Sequence, residues 1–165
     1  MFLHACKAFI VIALLSMQVA QAGELINTTD RFKQKRELKW ISSVKSSDAS
    51  QMGLTASVFF KGQGTPEKAL VHLAGSFDRL EFAQCNGVDW LADGVPVERL
   101  SGTYNTVPRR DSPKMIEIMV SIFSVEQLRQ LAAASVIEYR VCRSEGRVPD
   151  EDAAGLRQLV AALGQ

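Results

Sequence analysis

The stretch K-M-I-E-I-M-V-S-I-F-S-V-E-Q-L-R-Q-L-A-A-A-S-V-I-E-Y-R-V-C, residues 114–142, decides how the rest of the chain must pack. In its first part, aliphatic residues recur at every second position, which is the period of a half-buried strand. We therefore expect Ile118 and Val120 to be buried on one face of this strand. Met115 and Met119 share the opposite face, where we expect them to pack beneath a helix, and an adaptable partner surface is the alternative.

Ser124 ends this strand and predicts the start of a helix. Gln127 follows three residues later, so the two side chains can form a capping box with each other's backbone amides. Phe123 and Leu128 occupy the N′ and N4 positions and can form a hydrophobic staple across the helix start. After this short amphipathic helix, alternation of apolar and polar residues over 136–142 predicts a second strand.

The N-terminus predicts a secretory signal peptide, residues 1–22. Lys7 lies in a weakly basic head, and the apolar run that follows, residues 8–19, is shorter than the roughly 20 residues of a membrane span. Ala20 and Ala22 provide the small residues that a signal peptidase requires. We therefore expect an exported protein, periplasmic or secreted, with no transmembrane anchor after processing.

The mature chain divides simply. Residues 23–30 contain few packing residues and are expected to be loosely ordered, and residues 31–165 are expected to form a single globular domain. The whole sequence has 19 Lys and Arg against 18 Asp and Glu, and removal of Lys7 leaves 18 of each. A neutral chain has no general electrostatic attraction for nucleic acid or an anionic membrane, so we predict no nucleic-acid partner.

Cys85 and Cys142 are the two cysteines that remain when Cys6 leaves with the signal peptide. An even number of cysteines in an exported chain predicts a disulfide. A metal site would need further ligands, and His72 is the single histidine of the mature chain. Because no Cys-x-x-Cys motif is present either, we predict a structural disulfide between these residues, with no metal or other cofactor.

The remaining segments predict short strands and one more helix. β-forming residues dominate 54–60 and 69–73, and residues 88–97 predict a hairpin around Asp93-Gly94, a dipeptide that suits a turn with two positive φ angles. Apolar residues recur at helical spacing over 156–163, and Asp150 is the expected helix cap. We therefore predict an α+β fold, with a mostly antiparallel sheet and two amphipathic helices in the C-terminal third. The alternative is a β-sandwich with helical decorations.

Candidate catalytic groups are few. His72 is the only histidine available as a base, and the sequence has no Gly-x-Ser-x-Gly nucleophile elbow. The carboxylates that could form a catalytic pair are Glu81, Asp89, Asp93 and Glu117. Nothing in the sequence brings two of them together, and residues 150–152 lack the alternating ligands and glycine of a calcium loop. We therefore predict no catalytic, cofactor-binding or metal-binding residue.

Three functional hypotheses follow. The first is a non-enzymatic binding or accessory protein of the cell envelope, whose partner is a protein or an envelope component. The second is a hydrolase that acts on an envelope polymer through carboxylates or His72. The third is a structural domain of a larger assembly. The first is favoured because the sequence lacks the nucleophile, the oriented base and the metal ligands that most hydrolases use.

Overall fold

The computed structural model describes residues 23–61, 64–66, 68–85 and 87–164. The predicted signal peptide lies outside these residues, and its removal stays a prediction. In chain order the elements are β1 (Gly23–Asp30), β2 (Lys35–Ser42), β3 (Gly53–Lys61), β4 (Lys68–Phe77), β5 (Val88–Ala92), β6 (Val95–Val97), β7 (Ser101–Pro108), β8 (Met115–Ser124), α1 (Val125–Ala133), β9 (Ile137–Val141), β10 (Ser144–Arg147) and α2 (Asp150–Ala161). Short 3₁₀ helices form at Ala49–Gln51 and Ala162–Gly164.

These strands form two antiparallel sheets, a six-stranded sheet in the order β1-β2-β3-β4-β8-β7 and a four-stranded sheet in the order β10-β9-β5-β6. The predicted α+β fold class is therefore wrong, and the β-sandwich alternative fits better. Both helices lie in the C-terminal third, but the strands form two sheets and not the single sheet that the prediction assumed. The strands divide because β5 pairs with β9, far along the chain, and not with β4 or β8.

Residues 23–30, which the sequence predicted to be loosely ordered, form strand β1 and pair with β2 along their whole length. The segment has few apolar side chains, but backbone hydrogen bonds to a neighbouring strand need none. Strand β1 is therefore one of the two edge strands of the six-stranded sheet.

The shared core lies between the inner face of the six-stranded sheet, the four-stranded sheet and the two helices. The Trp90 ring of β5 packs edge to face on Phe123 of β8 and on Tyr139 of β9, with ring centroids 6.0 Å and 6.2 Å apart. The buried indole N–H of Trp90 donates to the Ser121 hydroxyl at 2.9 Å. These contacts join the two sheets through one aromatic cluster.

The face of β8 that packs on the core is not the face that the sequence predicts to be buried. Met119 is fully buried and lies directly opposite Leu73, a core residue of β4, so the expected packing of Met119 in the core is confirmed. Ile118 is one position along, points to the other side of the sheet and is only partly buried, so its expected core position is wrong. Val120 lies on the same side as Ile118 but is 9% exposed, so its expected burial is confirmed although its side chain points away from the core.

The capping box that begins α1 is confirmed. The Ser124 hydroxyl accepts from the Gln127 amide at 3.1 Å, and the Ser124 amide donates to the Gln127 side chain at 2.8 Å. Phe123 and Leu128, which flank this cap, are both fully buried. The local signal therefore fixed the end of β8 and the start of α1 together.

Helix α2 begins differently from the prediction. Pro149, and not Asp150, is the residue before the first turn, and the Asp150 side chain pairs with Arg147. Gly155 lies against the ring of Trp40, where a Cβ atom would come within 1.9 Å of a ring carbon. A glycine is needed at this position because it lets the helix backbone touch the indole.

The predicted hairpin and disulfide are both confirmed. Asp93 and Gly94 join β5 to β6 with φ angles of 50° and 78°, as a turn with two positive φ angles requires. Cys85 and Cys142 form a disulfide across a sequence separation of 57 residues. This bond ties the loop after β4 to the turn between β9 and β10.

Candidate functional site

The six-stranded sheet has two very different faces. Its inner face packs on the core, and α2 reaches it through Asp152, a fully buried carboxylate that accepts from Trp40 and Ser42 of β2 and from the Leu54 amide of β3. We call the opposite side the outer face, and its central residues are Lys39, Ser57, Leu70, His72, Ala74, Ile116, Ile118, Val120 and Ile122. Both helices therefore approach the sheet from the side away from these residues.

An apolar stripe runs along the outer face on β8. It consists of Ile116, Ile118, Val120 and Ile122 and spans six residue steps, or about 20 Å. Leu70 of β4 lies directly opposite Ile122 and widens the stripe, and the isoleucines remain partly exposed. The sheet therefore presents aliphatic side chains to the side on which neither helix packs.

The stripe ends on more exposed apolar residues and is bordered by hydroxyl groups. Val107 of β7 is opposite Ile116 and is 46% exposed, and Phe59 of β3 is 44% exposed. Thr103 of β7 and Thr55 of β3 lie in the same row as Val120. The outer face is therefore apolar along its centre, with neutral hydroxyl groups on both sides of Val120.

Positive charge accompanies the stripe on the β2 and β4 side. Lys39 and Lys68 both lie on the outer face, and His72 lies between Thr55 and Val120 near its centre. Burial lowers the pKa of His72 below its ordinary value, and the nearby charge of Lys39 lowers it further. The lowered pKa favours the neutral form of His72. The charges on β2 and β4 here are those of Lys39 and Lys68 together with Glu37, which lies two residues from Lys39 on the same face.

His72 and the four candidate carboxylates do not form a catalytic group. His72 lies on the outer face, whereas Asp93 occupies the turn between β5 and β6 and accepts from the Ser135 and Val136 amides. Asp89 pairs with Arg140 on the surface of the four-stranded sheet. Each of these groups therefore has a separate structural environment.

Glu81 and Glu117 are the two carboxylate residues that the fold brings together. The Glu81 amide donates to Glu117 Oε2 at 2.9 Å, but the Glu81 side chain turns away to pair with Arg79. Glu117 is fully buried, and its Oε1 accepts from the Phe82 amide and the Tyr104 hydroxyl. Both oxygens of Glu117 are thus used in holding the loop after β4, which is a structural role.

A surface cleft of about 670 Å³ lies beside β9 and β10. Its lining includes Asp89, Leu91, Glu138, Arg140, Arg147 and Asp150. Arg140 pairs with Asp89 at 2.8 Å, and Arg147 pairs with Asp150 at 2.7 Å. The two arginines are both paired at the surface, and the lining also contains Glu138 and Glu145. Acidic groups therefore outnumber basic ones in the described lining, and the cleft has no free positive charge there for an anionic ligand.

Tyr139 also borders this cleft, and its hydroxyl group has a structural function. It donates to the Ala49 carbonyl at 2.9 Å and accepts from the Met52 amide at 2.8 Å. Burial raises the pKa of Tyr139 to about 12, so the hydroxyl keeps its proton at physiological pH. Tyr139 therefore anchors the short helix Ala49–Gln51 to the four-stranded sheet.

Metal ligands do not gather anywhere in the part of the chain that the structure describes, where no three His, Cys, Asp or Glu side chains are placed to share an ion. Of the acidic residues at the start of α2, Asp150 faces Arg147 and Asp152 turns into the core. The acidic run therefore serves two unrelated structural contacts.

The comparisons with known proteins add no identification. No protein family, curated protein or solved structure matches this chain. Among the described helices, none is long and apolar enough to cross a membrane.

The outer face is the candidate site that the sequence did not reveal. The period-two alternation of β8 predicts a half-buried strand, and it leads to the expectation that Ile118 and Val120 lie in the core. The signal that could have found the site is that Met115, Met119 and Phe123 give the opposite side of β8 enough apolar surface of its own. A strand with two apolar sides predicts contacts on both.

Proposed function

We propose that this protein is a non-enzymatic binding or accessory protein of the cell envelope and that the outer face of its six-stranded sheet is the binding surface. The observation that carries the proposal is the aliphatic stripe of β8, whose isoleucines are partly exposed, on the side of the sheet opposite to both helices. Burial of such side chains contributes about 25 cal/mol for each Å² removed from water. A partner that covered the stripe would therefore gain binding energy without any rearrangement of the core.

The shape and charge of the outer face favour an amphipathic helix of another protein. A stripe of about 20 Å matches the apolar side of a helix of roughly 13 residues, since each residue adds 1.5 Å. Lys68 lies on the strand next to the stripe, beyond its Ile122 end, and Lys39 lies three strands from β8 on the same face, so acidic side chains at that end and side of the partner would complement them. A lipid surface fits less well, because the sheet face would carry these lysines toward the hydrocarbon.

The disulfide is the feature that supports the cell envelope as the setting. The disulfide between Cys85 and Cys142 is stable in an oxidising compartment, which agrees with the predicted signal peptide, residues 1–22. A periplasmic or secreted location is part of the proposal. N-terminal sequencing of protein recovered outside the cytoplasm tests it, and a retained Met1 on that material would contradict it.

A comparison of two lysine substitutions tests the binding surface. Ile118→Lys places a charge in the middle of the stripe, whereas Val95→Lys alters an apolar residue on β6 that is 57% exposed. Each purified protein is immobilised and exposed to envelope extract from the producing cells. We expect the wild type and the Val95→Lys variant to retain the same protein of defined mass, and the Ile118→Lys variant to lose it.

The charge argument gives a second measurement. The double variant Lys39→Glu, Lys68→Glu should bind the retained protein more weakly, and salt should weaken binding to the wild type but not to this variant. Retention that is indifferent to Ile118→Lys would refute the outer face as the binding surface. Hydrolysis of an envelope polymer by the wild type that disappears in a folded His72→Ala variant would refute the non-enzymatic function.

A further inference from the structure

Strand β7 differs from the other three sheet edges in the described residues. Strand β1 carries Glu24 and Asp30, β10 has four residues of which two are charged, and β6 has three residues with Pro96 at its centre. Short length, charge and proline are the usual protections of an edge against pairing with another strand. β7 has eight residues, none of them charged, and it lies at the end of the six-stranded sheet.

The register shows which backbone groups of β7 are available. The Arg109 amide donates to the Lys114 carbonyl, and this pair continues the antiparallel register of β7 with β8. Hydrogen-bonded and non-bonded pairs alternate in such a ladder, so odd-numbered residues of β7 bond to β8. The amides of Gly102, Tyr104 and Thr106 therefore point away from the sheet. Pro108 falls in this outward set, where its missing N–H costs no ladder bond.

This outward edge is complementary to itself. If Tyr104 lies opposite Tyr104 of a second chain in antiparallel orientation, Gly102 lies opposite Thr106 in both directions. Each of these three pairs can exchange two backbone hydrogen bonds, which gives about six bonds and uses every outward amide of β7. A two-fold axis through the Tyr104 pair would relate the chains, and such an interface closes after two copies.

We propose that β7 is the dimerisation edge of this protein and pairs with β7 of a second copy, in the register centred on Tyr104. The two six-stranded sheets then become one continuous sheet, and their outer faces lie side by side. Within β7 no like charges meet, because the strand contains no charged residue, and the register places Arg109 opposite Arg99 of the second copy only beyond the ends of the paired strands. This inference does not rest on the proposed binding function, since it uses the edge of the sheet and not the stripe of β8.

The neighbours across the axis allow a test that is specific for the register. On the outer face, Thr103 of one chain lies opposite Asn105 of the other, and both residues are exposed in the single chain. The variant Thr103→Lys, Asn105→Lys places like charges opposite each other twice. The matched variant Thr103→Lys, Asn105→Asp places opposite charges there twice and contains the same first substitution.

Sedimentation equilibrium of the purified protein over a range of concentrations measures the dissociation constant of the dimer. We expect a wild-type dimer, a dissociation constant raised about tenfold or more in the lysine–lysine variant, and recovery in the lysine–aspartate variant. Hydrogen exchange provides the second measurement, because the amides of Gly102, Tyr104 and Thr106 should exchange slowly at high protein concentration and quickly on dilution.

Three results would overturn the proposal. One is a wild-type protein that stays monomeric up to about millimolar concentration. The proposal fails in the same way if an added peptide, and not a second copy of the chain, is what protects the β7 amides. Another is a dimer that both double variants weaken equally, which would exclude this register. The third is a dimer in which the three outward amides exchange quickly at every concentration, which would place the interface elsewhere.

Discussion

Glu117 provides the sharpest test of how this fold is held together, because a fully buried carboxylate accepts three hydrogen bonds and none of their donors is positively charged. Its Oε2 accepts from the Glu81 amide, and its Oε1 accepts from the Phe82 amide and the Tyr104 hydroxyl. These bonds connect β8 to the loop after β4 and to the edge strand β7. Three hydrogen bonds at one fully buried side chain leave buried donors without a partner when they are lost, so their loss should be easy to measure.

The substitution Glu117→Gln should remove one of these hydrogen bonds and keep the others. An amide nitrogen in place of Oε2 faces the Glu81 amide, donor against donor, and leaves that N–H without a partner. Placed at Oε1, it would face the Phe82 amide and disturb the Tyr104 hydroxyl as well, so the first arrangement is favoured. We expect a loss of about 1–3 kcal/mol in the free energy of unfolding for Gln and of roughly 3–5 kcal/mol for Ala.

Urea denaturation measures these losses, and hydrogen exchange locates them. In the Gln variant, the Glu81 amide should exchange much faster while the Phe82 amide keeps most of its protection. Glu138→Gln is the matched control, because Glu138 is an exposed strand carboxylate whose change should stay within about 0.5 kcal/mol. If Glu117→Gln is as mild as Glu138→Gln, these hydrogen bonds do not hold the loop and the reasoning fails.

Ser124→Ala removes the oxygen that caps α1 and should cost about 1 kcal/mol in a urea melt, and no measurable cost would mean that the capping box contributes nothing. Met119→Ala should cost about 2–5 kcal/mol and Ile118→Ala less than about 1.5 kcal/mol, and the reverse order would show that the inner and outer faces of β8 are exchanged. Because folding lowers the pKa of His72, the unfolded chain binds more protons below the unfolded pKa near 6.5. Stability should therefore fall as pH decreases through about 6.5 toward the folded pKa, and a His72→Asn variant measured from pH 8 to 5 should lose this part of the slope. Cys85→Ser removes the disulfide and should lower stability by about 2–4 kcal/mol under non-reducing conditions, with an equal loss in wild type after reduction.

Local features of the fold were predictable because the residues that create them are close in sequence. Ser124 and Gln127 are three positions apart, and Asp93 and Gly94 are adjacent, so the capping box and the hairpin could be read directly. Counting was enough for the disulfide, since Cys85 had one possible partner. These predictions needed no knowledge of which strands are neighbours.

The division of the strands between two sheets was not predictable in this way. β5 meets β9 across more than 40 residues, and no local property of either strand selects that partner over β8. The segment before β2 also looked unstructured, because an edge strand such as β1 is held by its backbone and needs few apolar side chains. Fold class therefore depended on pairings that no single segment specifies.

Buried polar residues were the second source of error. The sequence places Asp152 in the first turn of α2, and its position four residues before Leu156 puts it on the buried side of that helix. It is stable there because Trp40, Ser42 and the Leu54 amide donate to it. The helical spacing could have indicated this burial, but the three donors come from strands about 100 residues away.

The residues on the outer side of β8 differ from those of an ordinary solvated sheet face, and this difference supports the outer face as a binding surface. An antiparallel sheet with one solvated side normally places polar residues on that side. In β8 the polar Glu117 and Ser121 point inward, where Tyr104, two loop amides and Trp90 donate to them, and the isoleucines point outward. Threonine at the outward positions would keep the β propensity and remove the exposed apolar surface. The strand does not need isoleucine at these positions to fold. We therefore propose that the isoleucines are there because a partner covers the stripe.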